Sequence, residues 1–313
     1  MKPELVIIRA IYEPTIAELE RDFTVHRLWL QTDADAFLSD HGGKVRAVVT
    51  TTPYGFSLAD FARFPKLEML GCFGPYYTLI DRAAAQQRGV KITHTPGSTA
   101  EPVADLAMGM IIAVMRRLCE SDRFVRAGKW TAGVFPAGTE VRGKTCGIIG
   151  FGRIGREIAR LAGAFGMRIC YHGPRRKDDA DFEYFADLEA MARAVDCLVV
   201  TCALTETTRD LVDARILTAL GPDGYLVNVA RGPIVDEDAL IAALGSSGIA
   251  GAALDVFRDE PQVPAALREM DNVVLAAHIG TSTKEVRENR HRMLLTDMRA
   301  WLAGQPLQYP VPL

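Results

Sequence analysis

No uninterrupted apolar run in this sequence approaches the ~20 residues that a membrane-spanning helix needs. Nor is there a large excess of one charge. Lys and Arg number 36 against 39 Asp and Glu, a formal net charge of −3, and the pI is near 6.1. Such a balance provides no field suited to nucleic acid or to an anionic membrane. The six cysteines (Cys72, Cys119, Cys146, Cys170, Cys197 and Cys202) form no CxxC pair and no Cys/His metal spacing, so no metal site is expected. Most lie inside apolar runs and read as small buried hydrophobes of a reducing compartment. Cys72 stands beside a glycine-rich segment, but without a partner base a nucleophilic role does not follow. The apolar start at residues 5–8 reads as a first strand with no small-residue cleavage site after it, and the expectation is a cytoplasmic protein. Internal repeats, low-complexity tracts and long linkers are missing as well.

What is present is apolar and regular. At 313 residues and 49% hydrophobic, the chain is long enough for two cores of ordinary domain size. Strand-like runs at 5–8, 24–28, 45–50, 67–73 and 90–93 alternate with amphipathic stretches at 14–22, 32–41, 57–64 and 80–88. Alternation of this kind predicts βαβ units and a parallel sheet. No glycine fingerprint follows the first strand. A second series begins with a helix over 102–118, opened by Glu101-Pro102. An irregular stretch follows at 127–143, then strands near 145–149, 168–171, 197–201, 224–228, 251–255 and 272–276. A last helix is predicted over 283–302, ended by Gly304 and Pro306. The fold class is therefore α/β with parallel sheets. Residues 1–98 and 284–313 are expected to form one discontinuous domain around an inserted domain at 99–283.

The second series carries a cofactor loop. Gly150-Phe151-Gly152-Arg153-Ile154-Gly155 lies between a strand and the helix-like run 156–162. Gly150 permits a tight turn, Gly152 lets backbone approach a pyrophosphate, and Gly155 lets helix and strand pack closely. Arg153 and Ile154 open the helix, whose unpaired N–H groups and dipole favour an anion. Roughly 20 residues on, an acid for the adenine ribose is expected. The chain instead reads Tyr171-His172-Gly173-Pro174-Arg175-Arg176-Lys177. A carboxylate repels a 2′-phosphate, whereas His172, Arg175 and Arg176 would hold one. NADP(H) is the preferred cofactor on this ground, with NAD(H) as the alternative.

Three islands bear the remaining chemistry: Val227-Asn228-Val229-Ala230-Arg231-Gly232, then Leu254-Asp255-Val256-Phe257-Arg258-Asp259-Glu260-Pro261, then Ala276-Ala277-His278-Ile279-Gly280. Each is a buried-strand pattern ending near one ionisable residue. Ligands of open α/β sheets bind beyond the carboxyl ends of the strands, so these residues face a crevice. Arg231 can grip a carboxylate with two parallel bonds. His278 can move a proton, and Glu260 can orient and charge it. Taken singly, each has an ordinary structural explanation: an ion pair, a helix-start acid, a core histidine. Together, downstream of a cofactor loop, they point to hydride transfer to a 2-oxo acid.

On these motifs the chain resembles the D-isomer-specific 2-hydroxyacid dehydrogenases, and most closely the glyoxylate/hydroxypyruvate and hydroxyphenylpyruvate reductases among them. The resemblance is strong from about residue 67 to the end. It implies two flavodoxin-like/Rossmann domains, the nucleotide domain inserted into the substrate domain, and a homodimer. It further implies that Arg231 binds the substrate carboxylate, that Glu260 partners His278 as acid/base, and that Asp255 lies near the nicotinamide carboxamide. Residues 71–77, with Cys72, Phe73, Gly74 and Tyr76, would form part of the substrate cradle. That loop departs from the family's usual Phe-Gly-Val-Gly-Tyr-Asp, since Pro75 has no N–H to donate and Tyr76 adds a ring. Carboxylate binding then relies more on Arg231 and the Tyr76 amide. Two other readings stay open: a dinucleotide-sensing module without catalysis, and a formate-type dehydrogenase, against which Glu260 counts. The basic run 287–292 reads as a solvated helix face, and Trp130 as interface packing.

Overall fold

The computed structural model describes residues 2–52, 54–97 and 99–313. They divide into two compact units, Met1–Ser98 with Thr283–Leu313, and Thr99–Ser282.

The first unit is built on five strands, β1 (Glu4–Ile7), β2 (Thr24–Arg27), β3 (Val45–Thr51), β4 (Met69–Phe73) and β5 (Lys91–His94), in the order β2-β1-β3-β4-β5. Every pairing is parallel. Three of the helices between them start on side-chain caps: Asp33 accepts from Asp35 and Ala36, Ser57 forms a reciprocal capping box with Asp60, and Asp81 accepts from Ala84. Apolar residues alternate across the sheet, so its two faces bury separate clusters, one around Val48 and Leu70, the other around Val49 and Met69. The chain's last helix, Lys284–Leu302, covers the second face through Leu294, Leu295, Met298 and Trp301. One buried carboxylate pins the tail that follows. Asp297 accepts from Thr93 Oγ1 at 2.5 Å, Gln308 N at 2.7 Å and Tyr309 N at 2.9 Å. The tail then pairs antiparallel with β5, His94 N donating to Tyr309 O and Val311 N to Ile92 O.

The second unit holds seven strands: β6 (Thr145–Ile149), β7 (Arg168–His172), β8 (Glu183–Phe185), β9 (Cys197–Val200), β10 (Tyr225–Asn228), β11 (Gly251–Leu254) and β12 (Val273–Leu275). Their order is β12-β11-β10-β9-β6-β7-β8, all parallel, and its direction reverses between β6 and β9. Central strands β9, β10 and β11 are buried along their whole length, which explains their continuous apolar runs. Two apolar layers cover the faces, one centred on Leu198, Leu226 and Ala252, the other on Ile148, Val199 and Val227.

The structure differs from the sequence expectation in two places. β8 adds a strand at the sheet edge, where Glu183, Tyr184 and Phe185 pair with the end of β7. The single helix expected over 102–118 is instead Ala100–Met115, followed after Arg117 by Leu118–Arg126. Arg117 takes a left-handed φ of 54°, costly for a residue with a Cβ. Its guanidinium grips Glu120 with two bonds of 2.7 and 2.8 Å, one turn into the next helix. Among the described residues no helix is long and apolar enough to cross a membrane, no His/Cys/Asp/Glu group could hold a metal ion, and all six cysteines are free.

Candidate active site

The loop after β6 turns as its glycines require. Gly150 has φ 91°, and a Cβ there would lie 2.6 Å from the Cys202 backbone. A Cβ on Gly155 would stand 2.4 Å from Gly150 O, so the helix Arg153–Ala164 can only start this close to the strand with glycine at that point. Gly152, the helix N-cap, has nothing within 4 Å of its would-be Cβ and offers no side-chain cap to the first-turn N–H groups. An open face with uncapped donors fits a pyrophosphate.

The neighbouring loop after β7 is tied to this one. Phe151 stacks on buried Tyr171 at 4.4 Å. The Tyr171 hydroxyl accepts from Lys177 N at 2.8 Å, and Tyr184 Oη donates to Gly173 O at 3.0 Å. His172 Nδ1 donates to Phe185 O at 3.0 Å, the carbonyl being able only to accept. Both ends of the turn are thereby fixed, with Arg175 and Arg176 exposed on it. Among the described residues Arg153, Arg175 and Arg176 make no ion pair. The nearby Asp179 is engaged by Arg156 at 2.7 Å, which holds its carboxyl below the ordinary range.

Loops following three adjacent strands carry the ionisable residues. After β10, buried Asn228 braces the turn: its Oδ1 accepts from Ala230 N at 3.0 Å and its Nδ2 donates to Arg231 O at 3.1 Å. Arg231 is exposed, and its Nη1 donates to Ala230 O at 2.6 Å. Gly232 then presses on the loop after β11, because a Cβ there would fall 1.9 Å from Phe257 C and O. In that loop Glu260 Oε1 accepts from Phe257 N at 3.1 Å, leaving Oε2 to accept from His278 Nδ1 at 2.7 Å. With Nδ1 bound to the carboxylate, Nε2 is the ring nitrogen left to exchange a proton with a ligand. His278 itself has φ 53°, held by its own N–H donating to Asp255 O at 2.9 Å. Asp255 also receives Ile279 N at 2.7 Å and Gly280 N at 2.9 Å on its two carboxylate oxygens. Burial nevertheless pushes its pKa up, against the pull of those two N–H donors. Both oxygens are thus spent on shaping the turn that presents His278.

In the first unit, Cys72 and Phe73 end the buried strand β4. Burial pushes the Cys72 thiol up to about 11, and its Sγ donates to Tyr76 O at 3.5 Å. Thr52 Oγ1 donates to the same carbonyl at 3.0 Å and lies 3.4 Å from Tyr76 N. Gly74 N donates back to Cys72 O at 2.9 Å, and His94 Nδ1 to Pro75 O at 3.0 Å. The Tyr76 ring is half exposed at 48%.

Residues 108–280 match the family described as D-isomer specific 2-hydroxyacid dehydrogenase, NAD binding domain. The chain is 42% identical to a glyoxylate/hydroxypyruvate reductase A of Arabidopsis thaliana, over 94% of each protein. The chain belongs to this family. It is 39% identical, over 94% of each chain, to a hydroxyphenylpyruvate reductase of Plectranthus scutellarioides. Among solved structures, a 2-hydroxyacid dehydrogenase from Ketogulonicigenium vulgare Y25 superposes with a TM-score of 0.91 at 37% identity, covering 100% of this chain and 99% of that one. An NADPH-dependent glyoxylate/hydroxypyruvate reductase from Sinorhizobium meliloti, solved with NADP and malonate, gives 0.83 at 34% identity, covering 99% and 97%. As a dehydrogenase of this family, the chain carries structural features that sequence reasoning passed over: Asn228 under Arg231, the Phe151–Tyr171 stack between the cofactor loops, and, for Asp255, expected near the nicotinamide, a bracing role under the His278 turn. An amide and an acid closing strands β10 and β11 were the available signals.

Proposed function

We propose that the protein reduces a 2-oxo acid to the D-2-hydroxy acid with NAD(P)H, in the manner of a glyoxylate/hydroxypyruvate or arylpyruvate reductase. One observation carries this reading: the 2.7 Å bond from His278 Nδ1 to Glu260 Oε2, next to the Arg231 turn and beyond the carboxyl ends of the same parallel sheet as an open, uncapped Gly152 helix start. Bound NAD(P)H supplies the hydride. Arg231 binds the substrate carboxylate through its fork, and His278 Nε2 donates the proton to the developing alkoxide. Glu260 keeps Nδ1 as a donor and stabilises the imidazolium; Asp255 sets the turn that aims the ring. In this reading Thr99–Ser282 is the dinucleotide-binding unit and the other unit receives the substrate through loop 72–76.

The exposed Arg175 and Arg176, with the closest paired acid already engaged by Arg156, support a preference for NADP(H) over NAD(H). Exposed apolar side chains on the 118–134 segment, Leu118, Val125, Trp130 and Val134, support a homodimer. The free cysteines agree with a cytoplasmic protein. A panel of 2-oxo acids (glyoxylate, hydroxypyruvate, phenylpyruvate and hydroxyphenylpyruvate) assayed with NADPH and NADH tests the function. Turnover of at least one, faster per unit KM with NADPH, is the expected result; none with either cofactor contradicts it.

A further inference from the structure

Loop 73–76 is short of hydrogen-bond donors. Gly74 N is spent on Cys72 O, Pro75 has no N–H, and Tyr76 N sits 3.4 Å from Thr52 Oγ1. If this loop takes part in holding a carboxylate, as the function proposed above requires, any charge-assisted bond that this unit adds to Arg231's has to come from another of its elements. The C-terminal helix is placed to supply it. It runs antiparallel to the strands it covers: Asp297 meets Thr93 in β5, while Asn289 Nδ2 lies 3.2 Å from the would-be Cβ of Gly97, beyond the end of that strand. Leu294, between them, packs against Gly71 in the middle of β4. Arg290, one helical turn before Leu294 on the same face, therefore stands level with the loop that leaves β4. It is half buried, whereas Arg287 and Arg292 on the same helix are exposed. Its electrostatic environment agrees with that placement. Burial lowers its pKa, and the groups whose charge bears on it include Cys72 and Tyr76 of the cradle, along with Arg287 on its own helix.

We infer that Arg290 is a further substrate-binding residue, its guanidinium donating to a carboxylate held at loop 73–76 where Pro75 supplies no amide. The basic run 287–292 is thus not one solvated face: it turns a single fork inward. An arginine remains charged there even with its pKa lowered, since its unperturbed value stands far above neutral.

Calorimetric titration of oxalate, a non-reducible analogue of glyoxylate, into the full-length protein tests this directly. Arg290→Met should weaken oxalate binding by about ten- to a hundredfold, the range of one charge-assisted contact. Arg290→Lys should recover part of the loss, since it keeps charge without the fork. Arg292→Met, on the exposed side, should bind like wild type. In turnover, the KM for glyoxylate should rise in Arg290→Met by a similar factor while the KM for NADPH stays put. Wild-type affinity in Arg290→Met, or in Arg290→Lys should the Met variant not fold, overturns the inference, and so does a wild type that binds no oxalate. Oxalate binding that depends on Arg290 in a protein that turns over no 2-oxo acid upholds it and overturns only the proposed reaction.

Discussion

His278 and Glu260 lie on loops after neighbouring strands and share a 2.7 Å hydrogen bond from Nδ1 to Oε2. Glu260 is itself held, its other oxygen taken by Phe257 N at 3.1 Å. The bond fixes the ring's tautomer and leaves Nε2 as its only working nitrogen. Glu260→Gln should therefore lower kcat by about a hundredfold or more, within the range general acid catalysis is worth. The KM for NADPH should hardly change. Steady-state kinetics check both, and a kcat within a few-fold of wild type would make Glu260 a loop brace only.

Asp255 separates stability from activity. Its folded pKa is raised by burial, so ionisation is resisted in the native state. Below its unfolded pKa the residue is protonated in both states and imposes no penalty. As pH rises through the unfolded and then the folded value, a destabilising contribution appears. The melting temperature of Asp255→Asn, relative to wild type, should thus improve from acid towards neutral pH. Activity should nevertheless drop about tenfold or more, because the amide sets an N–H against Ile279 N or Gly280 N and shifts the His278 turn. A constant melting difference across pH would show that Asp255 titrates alike in both states.

Gly232→Ala forces a methyl to within 1.9 Å of the Phe257 carbonyl. Two loops must move apart, and one of them carries Glu260. Overpacking of this kind costs about 1–3 kcal/mol. Denaturant midpoints should fall accordingly, and kcat/KM should fall further than stability alone explains. Unchanged values in both would mean the loops are freer than their packing shows.

The double change Arg175→Ala/Arg176→Ala should reduce NADPH affinity by about two orders of magnitude. Charge-assisted contacts to the 2′-phosphate contribute ~1.5–3 kcal/mol each. NADH binding should stay near wild type. Saturation curves for both cofactors on both proteins decide it: equal losses, or a wild-type preference for NADH, remove the arginines from the cofactor.

Much of this architecture was legible because its signals are local. Strands β9 to β11 are buried throughout, and β10, β11 and β12 are followed in turn by Arg231, Glu260 and His278, so fold class and these three candidates could be read together. β8 escaped because three residues, one of them Glu183, carry no period. The break at Arg117 escaped for a different reason: no glycine or proline marks it, and the left-handed turn is accompanied by an ion pair to Glu120. Arg290 was hidden more deeply. Its sequence neighbours are charged, and only the packing of Leu294 on Gly71, far away in the chain, turns it towards loop 73–76. Asp255 could be placed at a strand end, but that its carboxylate folds back onto Ile279 and Gly280 depends on contacts more than 20 residues distant.

The proposed reaction turns on proton delivery by His278. Purified His278→Ala and wild type should be compared in reduction of glyoxylate and hydroxypyruvate by NADPH, with cofactor binding followed by nicotinamide fluorescence. The variant should lose about 10²–10⁴-fold in kcat while binding NADPH as wild type does. Turnover near the wild-type rate in His278→Ala would contradict the account, leaving the bond to Glu260 as structure without chemistry.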